Sequence, residues 1–164
     1  MPHNRYEYDN DSVYDLIAGG RRKTLIYARV STVKQKPDLQ NQVELLKKYC
    51  FAKGLNIDGV YQDVASGISC SKRKDFFKLL DLVMESKVER IVITYKDRMS
   101  RVGFDLFDHL FKKYGCTIEV VSEVGSEKLD SQEIFEEIVS LLHCYSMKLY
   151  SSRKNVHIKK LITK

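Results

Sequence analysis

Prolines are scarce, two in 164 residues, and glycines number only eight. That composition excludes a collagen-like chain, and with 43% hydrophobic and 30% charged residues it argues against a disordered one. No window approaches the roughly 20 apolar residues that a bilayer span needs. The opening Met1-Pro2-His3-Asn4-Arg5 also lacks the apolar core of a secretory signal. The expectation is a single ordinary domain without a membrane partner, retained in the cytoplasm. The four cysteines, Cys50, Cys70, Cys116 and Cys144, form no Cys-x-x-Cys pair and have no closely spaced histidine, which speaks against a zinc site or a disulfide framework. A glycine-rich phosphate loop is missing as well, so neither a metal nor another cofactor is expected.

Acids are missing from one region in particular. Lysines and arginines number 28 against 22 acids, a net charge of +6. Residues 148–164 hold Lys148, Arg153, Lys154, Lys159, Lys160 and Lys164 with no acid, so the rest of the chain balances. A cationic end of this kind suits a polyanion, because every phosphate neutralised releases counterions; full engagement would give a salt slope of roughly −5, from about −0.9 per contact.

What is present reads as alternating strands and helices. Thr24 to Val30 is an apolar run, followed by an amphipathic segment from Asp38 to Lys53 with Leu39, Val43, Leu46 and Cys50 on one face. Gly54 supplies a helix stop, and residues 59–64 read as a second strand. A helix over 75–85 directs Phe76, Leu79, Leu80 and Val83 inward, and residues 90–95 form a third strand, apolar enough to be covered on both faces. A helix over 105–114 and a strand over 117–122 follow. The fold class is therefore α/β, a mainly parallel sheet with flanking helices.

From Asp130 the pattern changes. Asp130 and Glu133 are spaced as a capping box before Ile134, Ile138, Leu141, Leu142, Tyr145 and Leu149. A helix continuing to Lys164 would span about 50 Å at about 1.5 Å per residue, whereas a compact core of about 100 residues has a radius of gyration near 13 Å. It must overhang its own domain, and Ile138, Leu142, Tyr145 and Leu149 are expected to meet another subunit.

Residues fit for phosphate chemistry gather at strand ends. The first strand ends in Tyr27-Ala28-Arg29-Val30-Ser31-Thr32 and delivers a serine to the carboxyl edge, where open α/β sheets bind ligands. Residues two apart on a strand share a face, so Arg29 could hold a phosphate while Ser31 attacks it. The third strand ends in Tyr95-Lys96-Asp97-Arg98-Met99-Ser100-Arg101, with two arginines and an aspartate to orient them. A polar loop from Asp63 through Ser66 returns Arg73 from the second strand.

These three motifs, in this order, resemble the serine recombinase family of resolvases, invertases and serine transposases: Tyr27-x-Arg29-Val30-Ser31-Thr32, then Asp63-x-Ala65-Ser66-Gly67 with Arg73, then Asp97-Arg98-x-x-Arg101. The resemblance runs from Leu25 to about Arg153. It implies a resolvase-like catalytic domain in which Ser31 is the nucleophile and Arg29, Arg73, Arg98 and Arg101 contact the scissile phosphate. Asp97 would hold the arginines or assist proton movement. Tyr27 and Ser66 would be further phosphate contacts, as would the family glutamine, for which Gln40 and Gln42 both qualify. The implied reaction cleaves double-stranded DNA through a covalent 5′-phosphoserine bond and rejoins it by reversal, which needs no ATP, with guanidinium groups in place of metal ions.

The segment from Leu141 to Arg153 looks most like the insertion-sequence transposase branch, whose DNA-reading module precedes the catalytic domain. Residues Arg5 to Ile17 are similar to the end of a MerR-type winged helix. The expectation is a shortened transposase with three parts. Residues 1–22 would be a leader or remnant of a DNA-binding domain, 23–128 the catalytic domain, and 129–164 the long helix. Its Lys148, Arg153, Lys154, Lys159 and Lys160 would contact DNA, with a homodimer, and a tetramer in the synaptic complex, as assemblies. The rival expectation is a catalytically silent DNA-binding or assembly module of the same fold.

Overall fold

The computed structural model describes residues 10–66, 70–101 and 103–122, together with positions 135, 138–140, 142, 143, 145–147 and 150. Helix α1 (Asn10–Ala18) precedes strand β1 (Lys23–Val30). Then come α2 (Lys36–Ala52), β2 (Gly59–Val64), α3 (Lys74–Met84), β3 (Val88–Ile93), the single-turn α4 (Lys96–Met99), α5 (Phe104–Lys113) and β4 (Thr117–Val120). Short 3-10 turns at Val33–Gln35 and Cys70–Lys72 lead into α2 and α3.

The four strands form one parallel sheet in the order β2-β1-β3-β4. Alternation along β1 sends Leu25 and Tyr27 into one core with Phe76, Leu79 and Val83 of α3 and Phe107 and Phe111 of α5. The intervening Ile26, Ala28 and Val30 pack with Leu39, Val43, Leu46 and Cys50 of α2 on the opposite face. Burial on both faces explains why β1 reads as a continuous apolar run. An edge-on pair, Phe76 with Phe107 at 5.4 Å, ties α3 to α5, and Phe107 stacks edge-on with Phe111 within α5 at 5.9 Å.

Placing α2 on one face and α3 and α5 on the other has a topological result. The chain leaving β1 turns to one side of the sheet and the chain leaving β3 to the other. A crevice opens between their carboxyl ends, the switch point where open α/β sheets hold ligands.

Local chemistry sets the boundaries. Pro37 stands in the first turn of α2, where its missing N–H is unneeded. The helix stops in a Schellman turn: Leu55 N–H donates to the Cys50 carbonyl and Gly54 N–H to that of Phe51, with Gly54 at φ +68°. The third strand ends at Ile93 rather than Tyr95, because Arg98 N–H donates to the Tyr95 carbonyl and starts α4. Strand β4 is shorter than its apolar run, yet Val121 and Ser122 N–H still donate to the Ile93 and Thr94 carbonyls.

Helix α1 is fastened to the turn between α5 and β4. Tyr14 Oη donates to the Lys113 carbonyl at 3.1 Å, and buried Arg22 reaches both Asp15 Oδ1 at 2.9 Å and the Gly115 carbonyl at 2.7 Å. A side chain at Gly115, which is at φ +72°, would put its Cβ 2.6 Å from the Tyr14 ring. The described positions between 135 and 150 are helical, and none of the described helices is long and apolar enough to cross a membrane.

Candidate active site at the carboxyl edge

The crevice is built around a buried cation. Arg29, 1% exposed, donates through Nη1 to the Ala65 carbonyl at 2.8 Å, through Nη2 to that of Asp97 at 2.7 Å and through Nε to that of Arg98 at 3.1 Å. Three of its five N–H groups are thus taken by the loops after β2 and β3. The sequence reading set this guanidinium at the phosphate; in the structure its bonds clasp the two loops together. Burial, reinforced by the neighbouring Arg73, pushes its pKa down to about 10, so it stays protonated at neutral pH.

Arg73 is held the same way, from the other side. Its guanidinium is fully buried, lies 4.0 Å from the centre of the Phe76 ring, and donates through Nη2 to the Met99 carbonyl at 2.6 Å and to Tyr27 Oη at 3.2 Å. Tyr27 Oη in turn donates to Asp63 Oδ2 at 3.0 Å. The Asp63 carboxylate also accepts from Asp75 and Phe76 N–H, capping α3 across the chain, while Asp75 Oδ2 accepts from Gln62 N–H. Burial raises the Tyr27 phenol far above its ordinary value, which keeps it a neutral donor. Nε and Nη1 of Arg73 are buried with no hydrogen-bond partner among the described residues, and so is Nε of Arg98. Unpaired buried donors are rare in folded proteins.

Ser31 follows β1 and is partly exposed. Its N–H donates to Gln35 Oε1 at 3.2 Å, which also accepts from Thr32 N–H at 3.1 Å and Thr32 Oγ1 at 3.3 Å. Gln35 was absent from the sequence-derived site, although the Thr32-x-x-Gln35 spacing is that of a capping box. Of the two candidate glutamines, Gln42 reaches the sheet: its Nε2 donates to the Arg29 carbonyl at 3.3 Å and its Oε1 accepts from Thr94 Oγ1 at 3.5 Å. Gln40 is exposed and donates to Glu44 at 3.4 Å.

After β3, Arg98 is a quarter exposed, its Nη1 3.9 Å from Asp97 Oδ2, and it lies over the Tyr95 ring. Arg101 is exposed at the same rim, and Ser66 is half-buried beside the Ala65 carbonyl. Ile138, Leu142 and Tyr145 are helical and exposed, Leu142 by 65%. Lys148, Leu149, Arg153, Lys154, Lys159 and Lys160 lie outside the described residues.

Comparison with known proteins shows the family and agrees with the fold. Residues 24–163 match the family described as resolvase, N terminal domain. Protein R771 of Acanthamoeba polyphaga mimivirus, whose name calls it a resolvase, is 32% identical over 135 residues, which are 79% of this chain and 68% of that protein. R80 of the same virus is 30% identical, with 80% and 66% covered, so the chain spans about two thirds of the length of these relatives. Among solved structures, the C-terminal catalytic domain of ISC1926 TnpA, an IS607-like serine recombinase, is 36% identical with a TM-score of 0.57, covering 86% of this chain and 99% of that one. A serine recombinase from Sulfolobus solfataricus is 38% identical with a TM-score of 0.58, covering 81% and 89%.

The Tyr27 hydroxyl joins Asp63 to Arg73 in a buried site, so Tyr27→Phe should destabilise the fold by about 1–3 kcal/mol in urea denaturation. An unchanged midpoint would mean that the hydroxyl bridges nothing.

Proposed function

Because the chain belongs to the resolvase family of serine recombinases, in its insertion-sequence transposase branch, we propose that Ser31 cleaves double-stranded DNA and holds the broken strand as a 5′-phosphoserine. The observation that carries this reading is the set of unpaired buried donors on Arg73 and Arg98 at the switch point that Ser31 shares. In the step itself, Ser31 Oγ forms a bond to phosphorus while the bond from phosphorus to the 3′-oxygen breaks. The serine proton leaves and the 3′-oxygen gains one. Covalent storage of the ester lets reversal rejoin exchanged ends without ATP.

Charge that gathers on the phosphoryl oxygens needs fixed cations. Arg73, Arg98 and Arg101 take that part, with the two uncommitted N–H groups of Arg29 behind them and Asp97 beside Arg98 to orient it and assist proton movement. Arg29 also acts indirectly, by holding the Asp97 and Arg98 backbone. Gln35 fixes the Ser31 turn, Gln42 links β1 to β3, and Tyr27 and Ser66 complete the wall. No metal ion or ATP enters this scheme.

Strand exchange needs more than one active site. The exposed Ile138, Leu142 and Tyr145, with Leu149, form the surface for a homodimer that becomes a tetramer on paired DNA. Lys148, Arg153, Lys154, Lys159 and Lys160 then follow the duplex backbone, and the cytoplasm supplies the DNA.

Incubating the protein with DNA carrying candidate ends, in excess EDTA, should give a protease-sensitive covalent adduct that Ser31→Ala abolishes. An adduct of normal yield on the Ala variant would disprove the nucleophile, and none from the wild type would favour a silent assembly module. Sedimentation of Leu142→Lys should show lost self-association, and an oligomer of unaltered size would remove the interface.

A further inference from the structure

Three helices leave the carboxyl edge of the sheet after β1, β2 and β3, and each begins with a lysine: Lys36 opens α2, Lys74 opens α3 and Lys96 opens α4. For the 17-residue α2 and the 11-residue α3 this is the unfavourable sign, since the first turn carries the positive end of the helix dipole. Lys34 and Lys72 stand two residues earlier, in the 3-10 turns. All five are exposed, and none makes an ion pair with a carboxylate among the described residues.

The acids of this rim are arranged the other way. Asp38, Asp75 and Asp105 occupy the first turns of α2, α3 and α5, where negative charge stabilises a helix, and Asp75 also binds Gln62 N–H and Lys78. The acids serve the fold, whereas Lys36 and Lys74 oppose it; Lys96 lies over the Phe104 ring. A second feature lies between Lys72 and Lys74, where Arg73 has two buried donors without a hydrogen-bond partner among the described residues.

Scale decides what ligand fits. Neighbouring strands are about 4.8 Å apart, so the loops after β2, β1 and β3 span about 10 Å. That length faces about three successive phosphates on one strand of a duplex, which recur every 3.4 Å or so along its axis. The lysines also straddle the sheet, with Lys34 and Lys36 on the α2 side and Lys72, Lys74 and Lys96 on the α3 and α4 side.

We propose that Lys34, Lys36, Lys72, Lys74 and Lys96 form a rim that grips the DNA backbone on both sides of the scissile phosphate, separately from the basic C-terminal end. The proposal rests on the reading of Ser31 as a DNA-cleaving nucleophile, and its test keeps the two apart. Binding of a fluorescently labelled linear duplex to the full chain would be measured across a salt series. The triple variant Lys34→Gln, Lys36→Gln, Lys74→Gln should flatten the slope of log affinity against log salt by about 2.7, from about 0.9 per lost contact. The control Lys48→Gln, Lys113→Gln, exposed and away from the rim, should leave it unchanged. Lys36→Glu and Lys74→Glu should each raise the thermal midpoint while weakening binding, a combination that a structural role would not give.

If the triple variant keeps the wild-type slope while the wild type still forms its Ser31 adduct, the rim is overturned and the nucleophile stands. A flattened slope without any wild-type adduct supports the rim and removes the nucleophile. Equal flattening by the control, or a lower midpoint in the Glu variants, overturns the rim.

Discussion

A guanidinium buried at the end of β1 ties down two loops of chain at once, those after β2 and β3. Taking such a charge out of water is unfavourable by several kcal/mol. Arg29 offsets this with bonds to the carbonyls of Ala65, Asp97 and Arg98, each charge-assisted bond contributing roughly 1.5–3 kcal/mol. The loops after β2 and β3 are therefore set by a side chain of β1, and the arginines they carry inherit that placement.

A second buried assembly repeats the logic on the α3 side. Asp63 caps α3 and holds Tyr27, Tyr27 holds Arg73, and Arg73 lies on Phe76 with its last bond to Met99. The N-terminus of α3, the core aromatics and the phosphate-ready donors thus belong to one polar cluster inside an apolar core. Such clusters are stable only when nearly every group is paired. Among the described residues, Nε and Nη1 of Arg73 are the exception.

The sheet was legible because β1 and β3 are buried on both faces, so their apolar runs and the intervening helical periodicity leave few alternatives. Strand ends were less so: the third strand stops two residues early, and Tyr95, still extended, serves as the cap of α4. Ser31, Arg73, Arg98 and Arg101 could be selected from motif and order. The part Arg29 plays could not, because its partners are backbone carbonyls, and carbonyls have no signature in a sequence. That Gln42 and not Gln40 reaches the Arg29 carbonyl likewise depends on which face of α2 meets the sheet, two residues apart being far apart on a helix. Gln35 was available in the Thr32-x-x-Gln35 spacing, but a one-turn 3-10 segment gives no periodicity to draw attention to it.

The clasp is most directly tested by native-state amide hydrogen exchange in Arg29→Lys, since an ammonium is a point donor that cannot span three separate carbonyls. The account predicts that Arg98 and Ser100 N–H, bonded to the Tyr95 and Lys96 carbonyls, exchange faster, while Leu25 and Tyr27 N–H within β1 keep their protection. Exchange at Arg98 and Ser100 as slow as in the wild type would contradict it.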